Sequence, residues 1–193
     1  IEDRLSEIDL PAFNYGGWYD VFMGGTIRGY EGLRREAPSK GVRDAQRLLI
    51  GPWVHLRNCP GNVGGYNFGT RADAYHLGLE ARLLRFFDHH LRGGPAPKDG
   101  PVEVFTMGEN RWRTYDRWPP PGSVETKLYF HSEGKAATCL DCGTLSFEKP
   151  GDEPADAYVY NPSDPVPTVG GGLCCDPAWM KWGPYDQREA EKR

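Results

Sequence analysis

Through the first ninety or so residues, the spacing of apolar side chains alternates between the two-residue period of strands and the 3.6-residue period of helices. Asp9-Leu-Pro-Ala-Phe-Asn-Tyr15 reads as a short strand opened by a proline, after which Gly16-Gly17 is expected to turn the chain. Ile27, Tyr30 and Leu33 then recur at helical spacing with Arg28, Arg34 and Arg35 outward, which predicts an amphipathic helix over residues 24–35. Arg47-Leu-Leu-Ile50 is apolar toward both faces, as in a parallel strand covered on two sides, and it ends at Gly51-Pro52. Strand, helix, strand makes a βαβ unit. A longer helix is predicted from Thr70 to Arg92, with Leu77, Leu84, Phe87 and Leu91 in one seam, Leu83 and Phe86 beside it, and Gly93-Gly94-Pro95 as its stop.

Beyond that stop the texture changes. Val102-Glu-Val-Phe-Thr106, Thr126-Lys-Leu-Tyr-Phe130, Thr144-Leu-Ser-Phe147 and Ala157-Tyr-Val-Tyr160 are short strand-like runs parted by prolines and glycines, the pattern of an antiparallel sandwich. A boundary is therefore expected between residues 93 and 100, giving an α/β unit over 1–95 and a β unit over 100–193. A closed jelly roll needs about eight strands, and fewer are legible before the charged Arg188-Glu-Ala-Glu-Lys-Arg193. With Ile1-Glu-Asp in place of an initiating methionine, the sequence reads as an excerpt of a longer chain.

Composition narrows the partners. At 193 residues, 38% hydrophobic and 26% charged, the chain has enough apolar mass for a packed core. A net charge of -4 offers no broad attraction to phosphate backbones or anionic lipid, which argues against nucleic acid. No apolar run approaches the ~20 residues of a membrane helix. Neither a compartment nor an oligomeric state is fixed by the pattern. Cys139-Leu-Asp-Cys142 has a metal-like spacing, but the vicinal Cys174-Cys175 is a poor completion of such a site, so no metal is expected and the cysteines read as ordinary thiols.

Two strand ends carry candidate chemistry. In a parallel sheet Asp20, after the first strand, and His55, after the second, both lie at the carboxyl edge, where open α/β sheets place their sites. An aspartate there can accept the imidazole Nδ1–H, fix the tautomer and leave Nε2 to take a proton from a nucleophile. Nucleophile, acid, base is the chain order of α/β-hydrolase triads, and Asp20 before His55 fits the last two. On spacing alone, an aspartate in a turn is also a cap and a lone histidine also a surface residue.

The residues themselves resemble a known group. Leu10-Pro-Ala … Gly16-Gly-Trp-Tyr-Asp20, Leu48-Leu-Ile-Gly-Pro-Trp-Val-His55 and Arg85-Phe-Phe-Asp-His-His-Leu-Arg-Gly93 are similar to the CocE/NonD hydrolases, which include cocaine esterase-like, X-Pro dipeptidyl-peptidase and α-amino-acid ester hydrolase branches. Pro101-Val-Glu-Val-Phe-Thr-Met-Gly108 with Trp112, and Tyr158-Val-Tyr-Asn-Pro … Pro165-Val-Pro-Thr-Val-Gly-Gly171, resemble the start of that family's C-terminal jelly roll. The resemblance implies the C-terminal part of an α/β-hydrolase fold followed by an incomplete antiparallel jelly-roll β-sandwich. It implies Asp20 as triad acid and His55 as general base of a serine hydrolase acting on a small ester or peptide without a cofactor. The family's serine sits in a G-x-S-x-G elbow upstream of the acid, and none of Ser6, Ser39, Ser123, Ser132, Ser146 or Ser163 stands in such a motif. The nucleophile and the family's oxyanion-hole tyrosine are therefore expected upstream of Ile1, and the excerpt alone is expected to be inactive.

Trp18, Tyr19 and Trp53 are candidates for shaping a substrate pocket, although aromatics beside a buried acid more often serve as cover. Cys59 has no neighbours that mark an activated thiolate. His89 and His90 point about 100° apart on a helix; they, His76 and His131 are expected in packing or solvated roles. The competing reading is a non-catalytic jelly-roll binding module with a relic hydrolase segment, since a sandwich fits binding as readily as catalysis.

Overall fold

The computed structural model describes residues 2–56, 58–139, 141–174, 176 and 178–192. The chain divides into two compact units, one of residues 1–121 and 169–185, the other of residues 122–168 and 186–193.

In the first unit β1 (Phe13–Tyr19) leads into α1 (Met23–Glu36), α2 (Lys40–Ala45) and β2 (Arg47–Val54). A small hairpin, β3 (Asn62–Val63) and β4 (Tyr66–Asn67), precedes α3 (Ala74–Leu77) and α4 (Leu79–Arg92), and β5 (Val102–Thr106) and β6 (Arg111–Tyr115) follow. One four-stranded sheet runs β1-β2-β5-β6, with β1, β2 and β5 parallel and β6 antiparallel to β5. β2 is the central ridge: Leu48 and Ile50 pack with Tyr30 of α1 on one face, while Leu49 and Trp53 pack with Leu79 on the other. Both-face burial is why this strand reads as a continuous apolar run. Fully buried Gln46 ties the entries of both strands, accepting from Ala12 N–H at 3.1 Å and donating to the Leu10 and Val42 carbonyls.

Several features differ from the sequence expectation, β2 among them, which runs on through Gly51-Pro52 to Val54. β1 does not end at Tyr15 but continues through Gly16-Gly17 to Tyr19, because Gly17 faces the Trp53 backbone too closely for any side chain. The helix expected over 70–92 is broken at Gly78, whose φ of 72° closes α3 and starts α4, while Asp73 caps α3 by accepting from the Tyr75 N–H. The break sets the phase of α4: Leu79 and Phe86 face the core, and the expected seam residues Leu84, Phe87 and Leu91 are exposed. Finally, β5 does not join a sandwich. It pairs with β2, so the sheet of the first half continues past the change of texture near residue 100, and β6, absent from the expected strands, closes its edge. α2 was not expected either; Ser39 caps it by accepting from Val42 N–H.

The second unit contains one antiparallel pair, β7 (Tyr129–Ser132) with β8 (Gly143–Ser146), among its described residues. The expected strand at Ala157–Tyr160 forms no ladder among the described residues, and Tyr158, Val159 and Tyr160 are exposed. Cys139 and Cys142 are not free thiols: their Cα atoms are 5.3 Å apart and the sulfurs are bonded, closing the turn between β7 and β8. Cys175 lies outside the described residues.

His131 fastens this unit. Its Nδ1 lies 2.7 Å from Glu153 Oε1 and its Nε2 2.9 Å from the Glu148 carbonyl, so only the imidazolium donates from both nitrogens. Ser146 Oγ lies 3.1 Å from Nε2, the Glu148 charge also acts on His131, and Asp156, whose charge acts on Glu153, accepts from Ser132 Oγ and Ala136 N–H. The bond to Glu153 raises His131 above its ordinary value and lowers Glu153 below its own. A raised base stabilises below its unfolded value of about 6.5 and loses that contribution as pH rises; a lowered acid stabilises above about 4.3 and loses it as pH falls. Amide protection across β7 and β8, as exchange relative to the intrinsic rate at each pH, is thus expected to be greatest between those limits, with His131→Gln flattening the alkaline limb. An unchanged alkaline limb in that variant would remove His131 from the account.

No described helix is long and apolar enough to cross a membrane.

Candidate active site

The sheet brings the two candidate residues together by a shift in register. Phe13 to Gly17 of β1 pair in step with Arg47 to Gly51 of β2, yet Tyr19 pairs with Val54, one residue further along. The extra residue falls in Pro52-Trp53, where the missing proline N–H leaves no ladder bond to lose. Side chains alternate between faces along a strand, so without this bulge the residue after β2 would be out of phase with the residue after β1. With it, Asp20 and His55 leave neighbouring strands side by side at the carboxyl edge.

His55 Nδ1 lies 3.1 Å from Asp20 Oδ2. Asp20 Oδ1 accepts the Phe22 backbone N–H at 2.8 Å, so the two carboxylate oxygens have separate tasks and the side chain cannot swing away from the ring. Phe22 also sets its ring edge-on to the imidazole at 5.0 Å. The Asp20 side chain is 13% exposed and that of His55 44%, an acid shielded behind a base that faces the cleft. With Nδ1–H donated to Asp20, the neutral ring leaves Nε2 as its proton acceptor.

The pair lies in a cleft of about 490 Å³ whose walls include Tyr15, Thr26, Leu56 and Trp182. Trp182 arrives on the returning segment 169–185, which closes on itself at the Gly171–Gly183 bridge and is tied to the β3–β4 hairpin by Gly65 N–H donating to the Pro184 carbonyl. Of the three aromatic candidates, Trp53 lies at the cleft, fully buried, with its indole N–H given to the Ala72 carbonyl at 2.6 Å. Trp18 and Tyr19 lie outside the described cleft lining: Trp18 donates to the Phe105 carbonyl at 2.8 Å and packs beside Trp118, and Tyr19 packs on Phe68. The signal for Phe22 was its place two residues after the acid. Trp182, far along the chain, had none.

Cys59 touches the cleft but is no nucleophile. Burial, aided by the negative charges of Asp20 and Asp73, pushes its thiol up to about 11, so it stays protonated at neutral pH, and its Sγ lies 3.2 Å from the Leu56 carbonyl. No group of three His, Cys, Asp or Glu side chains among the described residues is arranged to hold a metal.

The chain thus sets an Asp–His pair at the carboxyl edge of a mixed α/β sheet. Residues 1–57 match the family described as X-Pro dipeptidyl-peptidase (S15 family), and residues 96–192 match the X-Pro dipeptidyl-peptidase C-terminal non-catalytic domain. The chain belongs to this X-Pro dipeptidyl-peptidase-like, CocE/NonD family and is a homologue of its serine hydrolases. It is 37% identical over 195 residues to the cocaine esterase of a Rhodococcus species, across 99% of this chain and 32% of that one. Among solved structures, an aminopeptidase from a marine-sediment Thaumarchaeota archaeon superposes with a TM-score of 0.74 at 27% identity, and a selenomethionine-labelled α-amino acid ester hydrolase with 0.72 at 26%. In both cases all of this chain covers 31% of the other, so it spans about a third of the length of these relatives.

Proposed function

We propose that this chain supplies the acid and the base of a serine hydrolase that cleaves an ester or amide bond through an acyl-enzyme, with Asp20 as acid, His55 as general base and the serine on sequence upstream of Ile1. Residues 1–95, with the β5–β6 pair that continues their sheet, would be the C-terminal part of its α/β-hydrolase domain, and the start of its C-terminal jelly roll would lie beyond β6 rather than at residue 100. The observation that carries this reading is the 3.1 Å contact between His55 Nδ1 and Asp20 Oδ2 at the shared strand edge. In the first step His55 Nε2 takes the serine hydroxyl proton as the oxygen bonds to the acyl carbon. The imidazolium, stabilised by Asp20, then returns that proton to the departing alcohol or amine as its bond breaks. Water enters by the same route in reverse roles and frees the acid. Trp53 and Phe22 would shape the wall against which a small ester or peptide lies, and no cofactor takes part.

A serine-directed fluorophosphonate tests the reading. Full-length protein, with a G-x-S-x-G serine upstream, is expected to be labelled at that serine, and the 193-residue chain is expected to remain unlabelled. Stoichiometric labelling of the short chain would place the nucleophile within it. A complete gene with no such motif, and no labelling of its product, would favour the binding-module reading.

A further inference from the structure

The outer side of α1 carries positive charge that the fold does not neutralise. A cleft of about 350 Å³ is lined by Tyr30, Glu31, Arg34 and Arg35 of α1 with Arg117 and Trp118 from the segment after β6. Arg35 is paired with Glu36, and basic residues in a last helical turn offset the negative end of the helix, which accounts for Arg35 and in part for Arg34. It does not account for the others. Arg117 has neither a hydrogen bond nor an ion pair among the described residues, and Arg34 makes only a 3.4 Å bond to the Arg43 carbonyl. Glu31, the one acid in the lining, pairs with neither of them.

Beneath them Tyr30 is 1% exposed, and its hydroxyl is buried without a hydrogen-bond partner. A buried hydroxyl left unpaired costs about 1–3 kcal/mol, so such a group calls for an acceptor or donor that the chain itself does not supply. From the side of β2, outside the cleft lining, Arg47 donates Nη1 to the Asp44 and Gln46 carbonyls and keeps a buried, unpaired Nε. Burial raises the Tyr30 hydroxyl above its ordinary value, while the charges of Arg34 and Arg47, opposed by that of Glu31, act on it.

We propose that this cleft is a binding site for a small oxyanion, a carboxylate or a phosphate, held by the Arg117 and Arg34 guanidinium groups and by the Tyr30 hydroxyl. Guanidinium forks match the paired oxygens of both anions, and the Trp118 ring gives a flat wall beside them. The site is separate from the Asp20–His55 cleft, with which it shares no lining residue, and its occupancy does not depend on the hydrolase reading.

Inorganic phosphate and sodium acetate, each titrated into the 193-residue chain against chloride at fixed ionic strength, test this by nitrogen-15 NMR of the Trp118 indole and the arginine Nε–H signals. Saturable shifts are expected with at least one anion, and the anion that saturates first identifies the geometry preferred. Arg117→Ala, an exposed change that leaves the core intact, should weaken that binding by about tenfold or more, and Tyr30→Phe by a smaller factor. Linear, unsaturated shifts with both anions, or a dissociation constant unchanged in Arg117→Ala, would overturn the proposal.

Discussion

Replacing His55 with alanine in the full-length protein is expected to lower kcat by about 10⁴-fold or more, with KM changing far less. The size follows from the role: without the imidazole, no group at the strand edge can take the nucleophile's proton, and what remains is the catalysis of binding and oxyanion stabilisation. Asp20→Asn should lower kcat by a similar order, about 10⁴-fold. An amide in place of Oδ1 and Oδ2 keeps the volume, but with Oδ1 accepting the Phe22 N–H at 2.8 Å, the NH₂ group would face His55 Nδ1 as a donor. The ring must then offer Nδ1 as an acceptor and carry its proton on Nε2, the wrong tautomer for a base. Steady-state kinetics on an ester and on a peptide substrate, with near-UV circular dichroism to confirm folding, check both variants. Folded His55→Ala protein turning over at the wild-type rate would end the assignment and leave the 3.1 Å contact as a structural tie.

The two halves of this site were legible to different degrees, for a physical reason. Asp20 and His55 stand out because each follows an apolar run, and the carboxyl edge of a parallel sheet gives such positions meaning. Their register was not legible. The bulge at Pro52-Trp53 depends on how Gly17 and Gly51 meet across the ladder, and Gly16-Gly17 by itself reads as a turn. The same limit explains α4. A run of apolar residues at helical spacing shows that a stripe exists, but Gly78 in the left-handed region resets the phase, so Leu79 and Phe86 turn inward while Leu84, Phe87 and Leu91 turn out. β5 was found as a strand and misjudged as to partner, since its alternation says nothing about whether it pairs with β2 or with a later strand. The cleft wall from Trp182 depends on a return of the chain across more than a hundred residues, a contact that no local period encodes.

Gly17 makes the tightest demand on the sheet, and a single methyl group tests it. In Gly17→Ala the added Cβ would lie 2.5 Å from the carbonyl carbon of Trp53 and nearer still to its oxygen. The obstacle is backbone of the central strand, which cannot rotate aside as a side chain would, so β1 and β2 must separate or the bulge must be lost. A cost of about 3 kcal/mol, at the upper end of overpacking, corresponds to a fall of roughly 6–12 °C in the melting temperature of the first unit. Separating the strands at this point also moves Asp20 away from His55, so the full-length variant should lose activity by more than its folded fraction explains. Gly25→Ala provides the contrast. That position lies inside α1 with nothing within 4 Å of an added Cβ, and the same substitution there should raise stability by about 0.5–1 kcal/mol through helix propensity alone. Thermal melts of the two variants side by side should therefore move in opposite directions. A Gly17→Ala chain as stable as wild type, with the imidazole of His55 still in its Nδ1–H form by NMR, would mean that the register between β1 and β2 does not depend on this close approach.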